Sequence, residues 1–573
     1  MRVSTYHIRQ FLLAPKRRSA GSQRAHLTAS ALKMAQQYKL KIPSLDLKNG
    51  EKVEAEIEGI DKAKVLLLKV ADKYHALSPR CTHYGAPLVK GVLTRDGRLT
   101  CPWHGACFNV GTGDIENAPA ADPLAHYPII EKDGAVYIEG DEDTIKAGHR
   151  LGDIKCAADG QEHVVIVGGG SGCFGTVEGL RGGGFKGRVT VISREPHPPI
   201  DRTKLSKALI SDANRLILRN YEWFKAASVD LITDDVLAVD FANRQVSTAS
   251  RKDFSYTKLV LATGGTPRTL PLPGFKELGN IFVLRTLLDV KSILEAVGEE
   301  KGRRIVVIGS SFIGMEVAKT LVGKGHIVSV VGMEKAPLER VIGAQVGVGF
   351  QAQLEKTGVK FFMEASVDSA SPSTSDVTKV GTVNLKDGSQ LPADLAILGV
   401  GVAPATEFLT GNPAVQLERD GSIKVNEYFS AIGLEDVYAI GDIATYPYHG
   451  PGGNGAYTRI EHWNVAQNAG RAVANHINEP SANPKPFIPI FWSALGSQLR
   501  YCGNTVGGYD DLVLKGNPED AKFVAYYTKG ETVVAVASMG MDPTVSHASE
   551  LMRRGSMPSK SEIKSGVDIL GVS

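Results

Sequence analysis

Cysteine is scarce: six residues in a chain of 573, with no regular spacing among Cys107, Cys156, Cys173 and Cys502. That excludes a disulfide framework and points to a reducing compartment. No apolar run reaches the ~18 residues of a transmembrane helix. Acidic residues are missing until Asp46. The first 34 residues carry Arg2, Arg9, Lys16, Arg17, Arg18, Arg24 and Lys33. An acid-free leader containing Arg and Ser reads as a mitochondrial presequence; a plain basic tail on a cytoplasmic protein is the alternative. Without those seven cations, 58 basic residues stand against 62 acidic ones. The formal charge of +3 therefore belongs to the leader and gives no support to nucleic-acid binding.

What is present is concentrated in two short boxes, Cys81-Thr82-His83-Tyr84-Gly85-Ala86-Pro87-Leu88 and Cys101-Pro102-Trp103-His104-Gly105-Ala106. Each offers one thiolate and one imidazole. Cys81, His83, Cys101 and His104 can hold a [2Fe–2S] centre with the sulfurs on one iron and the nitrogens on the other. Structural zinc also accepts two Cys and two His. Zinc fingers, however, pair Cys with Cys and His with His along the chain, whereas the order here is Cys-His, Cys-His. An absorption spectrum separates the two. Residues 40–140 around the boxes read as all-β, with strands such as Val65–Val70 and Val136–Ile138 between turns. Residues 141–161 are polar and read as a linker long enough for domain motion.

Beyond the linker the period changes. His163-Val-Val-Ile-Val runs into Gly168-Gly169-Gly170-Ser171-Gly172-Cys173, and Arg304-Ile-Val-Val-Ile runs into Gly309-Ser310-Ser311-Phe312-Ile313-Gly314. Both are strand, glycine turn, helix: backbone N–H groups aimed at a pyrophosphate. In the first, Gly168 and Gly170 keep the pattern and Cys173 departs from it. Val189–Glu195 reads as the next strand, ending in an acid for a ribose hydroxyl. In the second, Ser311 replaces the central glycine, where a Ser can still fit and donate its hydroxyl. Glu334 stands two residues beyond the usual acidic position, favouring NADH over NADPH, whereas Lys335 beside it could instead welcome NADPH. Two such units imply two nested domains: 162–275 with 406–480, and 276–405 between. Residues 485–573 form a last domain, with a Lys- and Ser-rich tail from about Ser546 read as a poorly ordered cap.

The boxes resemble the Rieske family. High-potential Rieske proteins have extra cysteines where Ala86 and Trp103 stand, and hydroxyls where Ala106 and Phe108 stand. Their absence predicts a potential near the low end of the range, roughly −150 mV. Thr263-Gly264 and Arg268, within Leu259–Arg268, together with Gly441-Asp442, resemble segments of flavoproteins that bind two dinucleotides. The whole is similar to apoptosis-inducing-factor-like flavoproteins with an N-terminal Rieske domain, in the ferredoxin-reductase-like superfamily. The resemblance implies FAD and a multidomain fold: an all-β Rieske domain, two nested α/β Rossmann-like domains and an α+β C-terminal interface domain. Through Pro199–Lys207, including Arg202, it places Lys207 at flavin N5. It pairs Glu316 with Lys207 and lays Trp463 over the isoalloxazine; Phe491-Trp492-Ser493 opens the interface domain.

Residues 200–215 hold no cysteine, so electrons cannot leave through a dithiol as in disulfide reductases of this fold. The expected path is NADH to FAD to the [2Fe–2S] centre, through His83 and His104 as solvent-facing ligands, to an unidentified protein or quinone-like acceptor. No facial triad for a mononuclear oxygenase iron is evident. The alternative is a redox-sensing signalling protein with negligible turnover, which dimerises on reduction.

Overall fold

A computed structural model describes residues 36–152, 154, 160–495 and 497–572. The leader over residues 1–34 lies outside the described residues, as does Cys156 of the linker. The expected β-strands form: Lys64–Val70 and Ala135–Gly140 belong to two antiparallel sheets of the N-terminal part. A third sheet, of Val92–Leu93, Arg98–Thr100, Cys107–Asn109 and Ile115–Asn117, carries the second box on the loop between its middle strands. The linker is partly helical, because Asp141 caps Glu142–Ala147 by accepting from the Thr144 N–H.

The two glycine loops follow buried parallel strands. Val164–Val167 and Ile305–Ile308 are buried throughout, as the unbroken β-branched runs of a sheet covered on both faces should be. In the first five-stranded sheet His163–Val167 lies between Arg188–Ser193 and Lys258–Leu261, with Val437–Ala439 at the edge. The second sheet places Arg304–Ile308 between Leu395–Leu398 and Ile327–Val331. The chain therefore leaves the first sheet after Leu261, builds the second, and returns at Val437.

The last domain is a five-stranded antiparallel sheet buried on both faces. Phe523, Ala525 and Tyr527 pack with Val346 and Phe350 of the second nucleotide domain. Val524 and Tyr526, on the opposite face, pack with Val545, Ala548 and Leu551. This corrects the reading of the tail: Thr544–Arg553 is a helix, with Ala548 and Leu551 fully buried. Its Ser and charge content reads as a loose cap, but the apolar residues recur at helical spacing and cover a sheet face that would otherwise meet water.

Candidate functional site

The two boxes form matching loops. Cys81 N–H donates to Ala86 O at 2.9 Å and Cys101 N–H to Ala106 O at 2.7 Å. Inside each loop the thiol accepts backbone N–H groups: Cys81 from His83 and Tyr84, Cys101 from Trp103 and His104. Such donors favour thiolate; in Cys81 the Cys101 thiol and burial outweigh them and the net direction is up, whereas Cys101 is held down. Gly105 has φ +70°, and a Cβ there would lie 2.3 Å from Cδ1 of Ile490. Only glycine allows that turn against that neighbour.

The four predicted ligands come together in two pairs. The Cys81 and Cys101 thiols hydrogen-bond one another in the interior. The Nδ1 atoms of His83 and His104 face each other at 3.0 Å. Burial holds the His83 imidazole down at about 4 and drives His104 further below its ordinary value. Among the described residues no three of His, Cys, Asp and Glu are gathered to hold one metal ion. Sulfur beside sulfur and nitrogen beside nitrogen is the donor set of a two-iron centre, not of a single zinc, and these residues fit it.

The histidines are not solvent-facing. His104 is 5% exposed, and Nε2 of His83 is buried with no hydrogen-bond partner. Trp492 closes over both, with ring centroids 4.4 Å from His104 and 5.5 Å from His83. Trp463 lies 6.5 Å from His83, nearly parallel to it. The Tyr84 hydroxyl donates to Asp201, in the segment preceding Lys207. The histidine end of the N-terminal β domain is thus seated on Trp463 and the Ile200–Lys207 segment. The C-terminal helix holds the other side: Ser546 Oγ donates to Cys101 O at 2.8 Å, and Arg98 pairs with Glu550 at 3.2 Å. None of these contacts was legible in the sequence, because their partners lie more than a hundred residues apart.

Around the first nucleotide loop, Gly168 has φ +109° and a Cβ there would lie 2.3 Å from Ala262 O. Gly170 begins the helix Ser171–Gly182 with no side chain capping it, so the first N–H groups are free for an anion. Cys173 is wholly buried, filling the packing role of the missing glycine. Glu195 is ion-paired with Arg202, whose Nη1 also donates to Arg285 O at 2.6 Å. Burial works to raise the Glu195 carboxyl, but Arg202 outweighs it and the net direction is down. Arg285, overlooked in the sequence, pairs with Asp442 at 2.8 Å beside Gly264. Thr263 donates to Ala405 O at 2.7 Å. These residues form a cradle with the donors and acid that FAD requires. Arg268 stands apart, exposed on the strand pair joining the two nucleotide domains, and donates to Val402 O.

Lys207 Nζ lies 3.0 Å from Glu316, which is 4% exposed and also accepts from the Ser206 and Ser493 hydroxyls. Trp463 Nε1 donates to Ile200 O, and Ser171 Oγ to Trp463 O. Lys207 and Trp463, from the first nucleotide domain, therefore converge with Glu316 from the second. In the second loop, Gly309 and Gly314 pack backbone to backbone. Ser311 is not free to donate to a phosphate: its hydroxyl donates to Gly399 O at 2.9 Å and accepts from Gly314 N–H. Glu334 is engaged by Arg340 Nε at 2.8 Å and by the Ser310 hydroxyl at 3.3 Å. A cavity of about 880 Å³ bounded by Asn117, Glu178, Arg219 and Arg471 lies toward the C-terminal end of the helix Ser171–Gly182, and none of the predicted site residues lines it.

Comparison with known proteins finds three family models that match along the chain. Residues 38–128 match the Rieske [2Fe-2S] domain, 162–470 match the pyridine nucleotide-disulphide oxidoreductase family, and 490–567 match the reductase C-terminal domain. The chain is 38% identical over 528 residues to Apoptosis-inducing factor 3 of Homo sapiens and to that of Mus musculus, covering 91% of this chain and 84% of each relative. Among solved structures, the covalent putidaredoxin reductase-putidaredoxin complex is similar, with TM-score 0.64, 27% identity, and coverage of 71% of this chain and 99% of that one.

Proposed function

Because the chain belongs to the pyridine nucleotide-disulphide oxidoreductase family and carries Rieske and reductase C-terminal domains, we propose that it oxidises NADH and delivers the electrons, by way of FAD and a [2Fe–2S] centre, to a one-electron acceptor. Bound in these sites, the flavin accepts a hydride and the iron pair carries single electrons. The rest is the work of the chain. The free N–H groups at Ser171 and the Glu195, Arg202 and Asp442 side chains hold a dinucleotide. Glu316 fixes the Lys207 ammonium where negative charge develops on reduction. Cys81, Cys101, His83 and His104 supply the paired donors. The single observation carrying the reading is the seating of the histidine end of the Rieske domain against Trp463 and the Ile200–Lys207 segment. This is an intramolecular counterpart to the pairing of reductase with putidaredoxin in the similar complex.

A signalling protein with negligible turnover needs no such seating, and the retained ligand set favours the enzyme. Within this reading NADH is the preferred nicotinamide, the site of action is the mitochondrion, and the acceptor is a protein or quinone-like molecule. A homodimer fits the signalling alternative. Among the described residues no helix is long and apolar enough to cross a membrane.

Stopped-flow mixing of the holoprotein with NADH, with flavin and cluster bands followed separately, tests the order of transfer. Cys81→Ser is expected to remove the cluster and its reduced-state paramagnetic signal, with flavin still bleached by NADH. A protein whose cluster band does not respond to NADH would sink the proposal.

A further inference from the structure

We propose that Tyr84 is the port through which electrons leave, and that it fits a one-electron acceptor protein with an acidic contact face. This rests on the electron-transfer reading above and adds to it a place and a partner. The histidine edges are closed: Nε2 of His83 is buried, and His104 is covered by Trp492.

Nor is the domain built to lift away. Glu550, 3% exposed, accepts from Thr100 at 2.8 Å and pairs with Arg98. Arg219 pairs with Asp122 at 2.7 Å, and Asn468 accepts from the Ala118 N–H at 2.9 Å. Parting the domains would strand these buried charges in separate pieces. Discharge therefore takes place in the docked state.

In that state the ring packed most closely on a cluster histidine is also the most exposed of the aromatic rings around the pair. Tyr84 stacks on His83 with centroids 3.8 Å apart and planes 15° from parallel, and it is 38% exposed. Its hydroxyl donates to Asp201, while the stack itself rests on the face-to-face packing of the two rings. Trp492 is buried, and Trp103 and Trp463, with centroids 6.3 Å from His104 and 6.5 Å from His83, are more distant and only partly exposed.

The surroundings are basic. From Arg80 to Lys90 the chain has two cations and no acid, with Arg80 3.7 Å from Glu54 and Lys90 at the far end, and Lys204 Nζ lies 4.9 Å over the Tyr84 ring. The nearby Asp201 is only 4% exposed and is already engaged by Tyr84 and Lys204. An acceptor presenting carboxylates around its redox centre meets this face favourably. The step balances as one NADH and two ferric acceptors giving NAD⁺, one proton and two ferrous acceptors. Each crossing oxidises the reduced iron pair by one electron and reduces one acceptor haem, while the Tyr84 ring serves as a bridge and keeps its own electrons.

The test uses the full-length holoprotein with soluble cytochrome b5, an acidic haem protein, and with its redox-inert zinc-porphyrin form. Wild type is expected to bind the zinc form at low salt. Lys204→Glu should weaken binding at least about tenfold, a difference that fades near ~0.5 M salt. Tyr84→Leu should slow haem reduction at least about tenfold relative to cluster reduction by NADH, and Tyr84→Phe, which keeps the ring, should restore it. No binding by wild type, equal binding by wild type and Lys204→Glu, or equal haem reduction by Tyr84→Leu and Tyr84→Phe would overturn the proposal. Bleaching of the flavin and cluster bands without cytochrome reads the underlying function separately.

Discussion

Lys207 and Glu316 meet at 3.0 Å across the boundary between the two nucleotide domains. Glu316 lies on the first turns of the helix Phe312–Gly323, directly after the second glycine loop. The same residue stretch that starts a nucleotide site therefore also positions a cation belonging to the other site. Ser206 and Ser493 satisfy the remaining acceptor capacity of the carboxylate, as a buried charge requires.

Glu316→Gln keeps the shape and removes the charge that Lys207 faces. The expected result is flavin reduction by NADH slowed at least about tenfold, with a lowered melting temperature. Lys207→Met should have a comparable effect, and the double variant should fall well short of the sum, because the two residues act as one unit. Additive losses in stopped-flow rates would show that the pair is only structural.

Glu550 joins the Rieske domain to the C-terminal helix, and its acidity is set by competition. Burial raises its carboxyl, but Arg98 and Arg553 outweigh burial and hold it below the usual carboxylate range. Glu550→Ala takes their shared partner from both guanidinium groups, but Arg98 keeps Glu116 at 3.7 Å and Arg553 keeps Asp96 at 2.8 Å, so the cost should lie at or below the low end of the about 3–5 kcal/mol for a buried pair broken on one side. Thermal bleaching of the cluster absorbance should move down accordingly. Replacing both partners, Arg98→Met with Glu550→Leu, should recover most of the loss. If the single variant bleaches at the wild-type temperature, the domain is held elsewhere.

His462 gives the fold a one-sided pH response. Its Nδ1 accepts from the Asn464 N–H at 3.3 Å and caps the helix Trp463–Asn478, which requires the neutral ring. Burial, with the Lys207 charge adding to it, pushes the imidazole down to about 3. The unfolded chain therefore binds a proton below about pH 6.5 that the folded chain refuses until about pH 3. Stability from this group is complete above 6.5 and falls by at most about 1.4 kcal/mol per pH unit on acidification toward 3. His462→Asn, a capping side chain that does not titrate, should flatten that part of the profile in denaturant titrations between pH 4 and 7. An unchanged slope would refute the assignment.

Much of this was legible in the sequence because local chemistry dictates it. Gly168 needs a left-handed backbone beside Ala262, and a strand followed by such a turn has few other uses. The box cysteines and histidines were likewise fixed by short loops. What the chain could not disclose was contact at long range. Arg285 looks like any surface cation until the fold brings it to Asp442. Ser546 looks like part of a polar tail until its helix covers a sheet face and reaches Cys101. His83 and His104 read as solvent-facing because a Rieske domain considered alone exposes that end. Burial came from Trp463 and Trp492, supplied by two other domains.

The proposed preference for NADH rests on Glu334 and Arg340. The acid lies past the strand Ile327–Val331, at the end of a sheet where a ribose is read. Arg340, 74% exposed, pairs with it at 2.8 Å. With the acid in place, a 2′-phosphate meets a like charge, and the nearest guanidinium is already committed, so NADH should be favoured. Glu334→Ser removes the repulsion and releases Arg340 at once. The ratio of kcat/KM for NADPH to that for NADH should rise at least about tenfold, or about 1.4 kcal/mol. Adding Arg340→Ala should take most of that gain back, because the freed guanidinium is the group that would bind the phosphate. Should Glu334→Ser leave the ratio where it was, Lys335 or the loop backbone must set the preference, and the Glu334–Arg340 pair would be only a clasp on the loop.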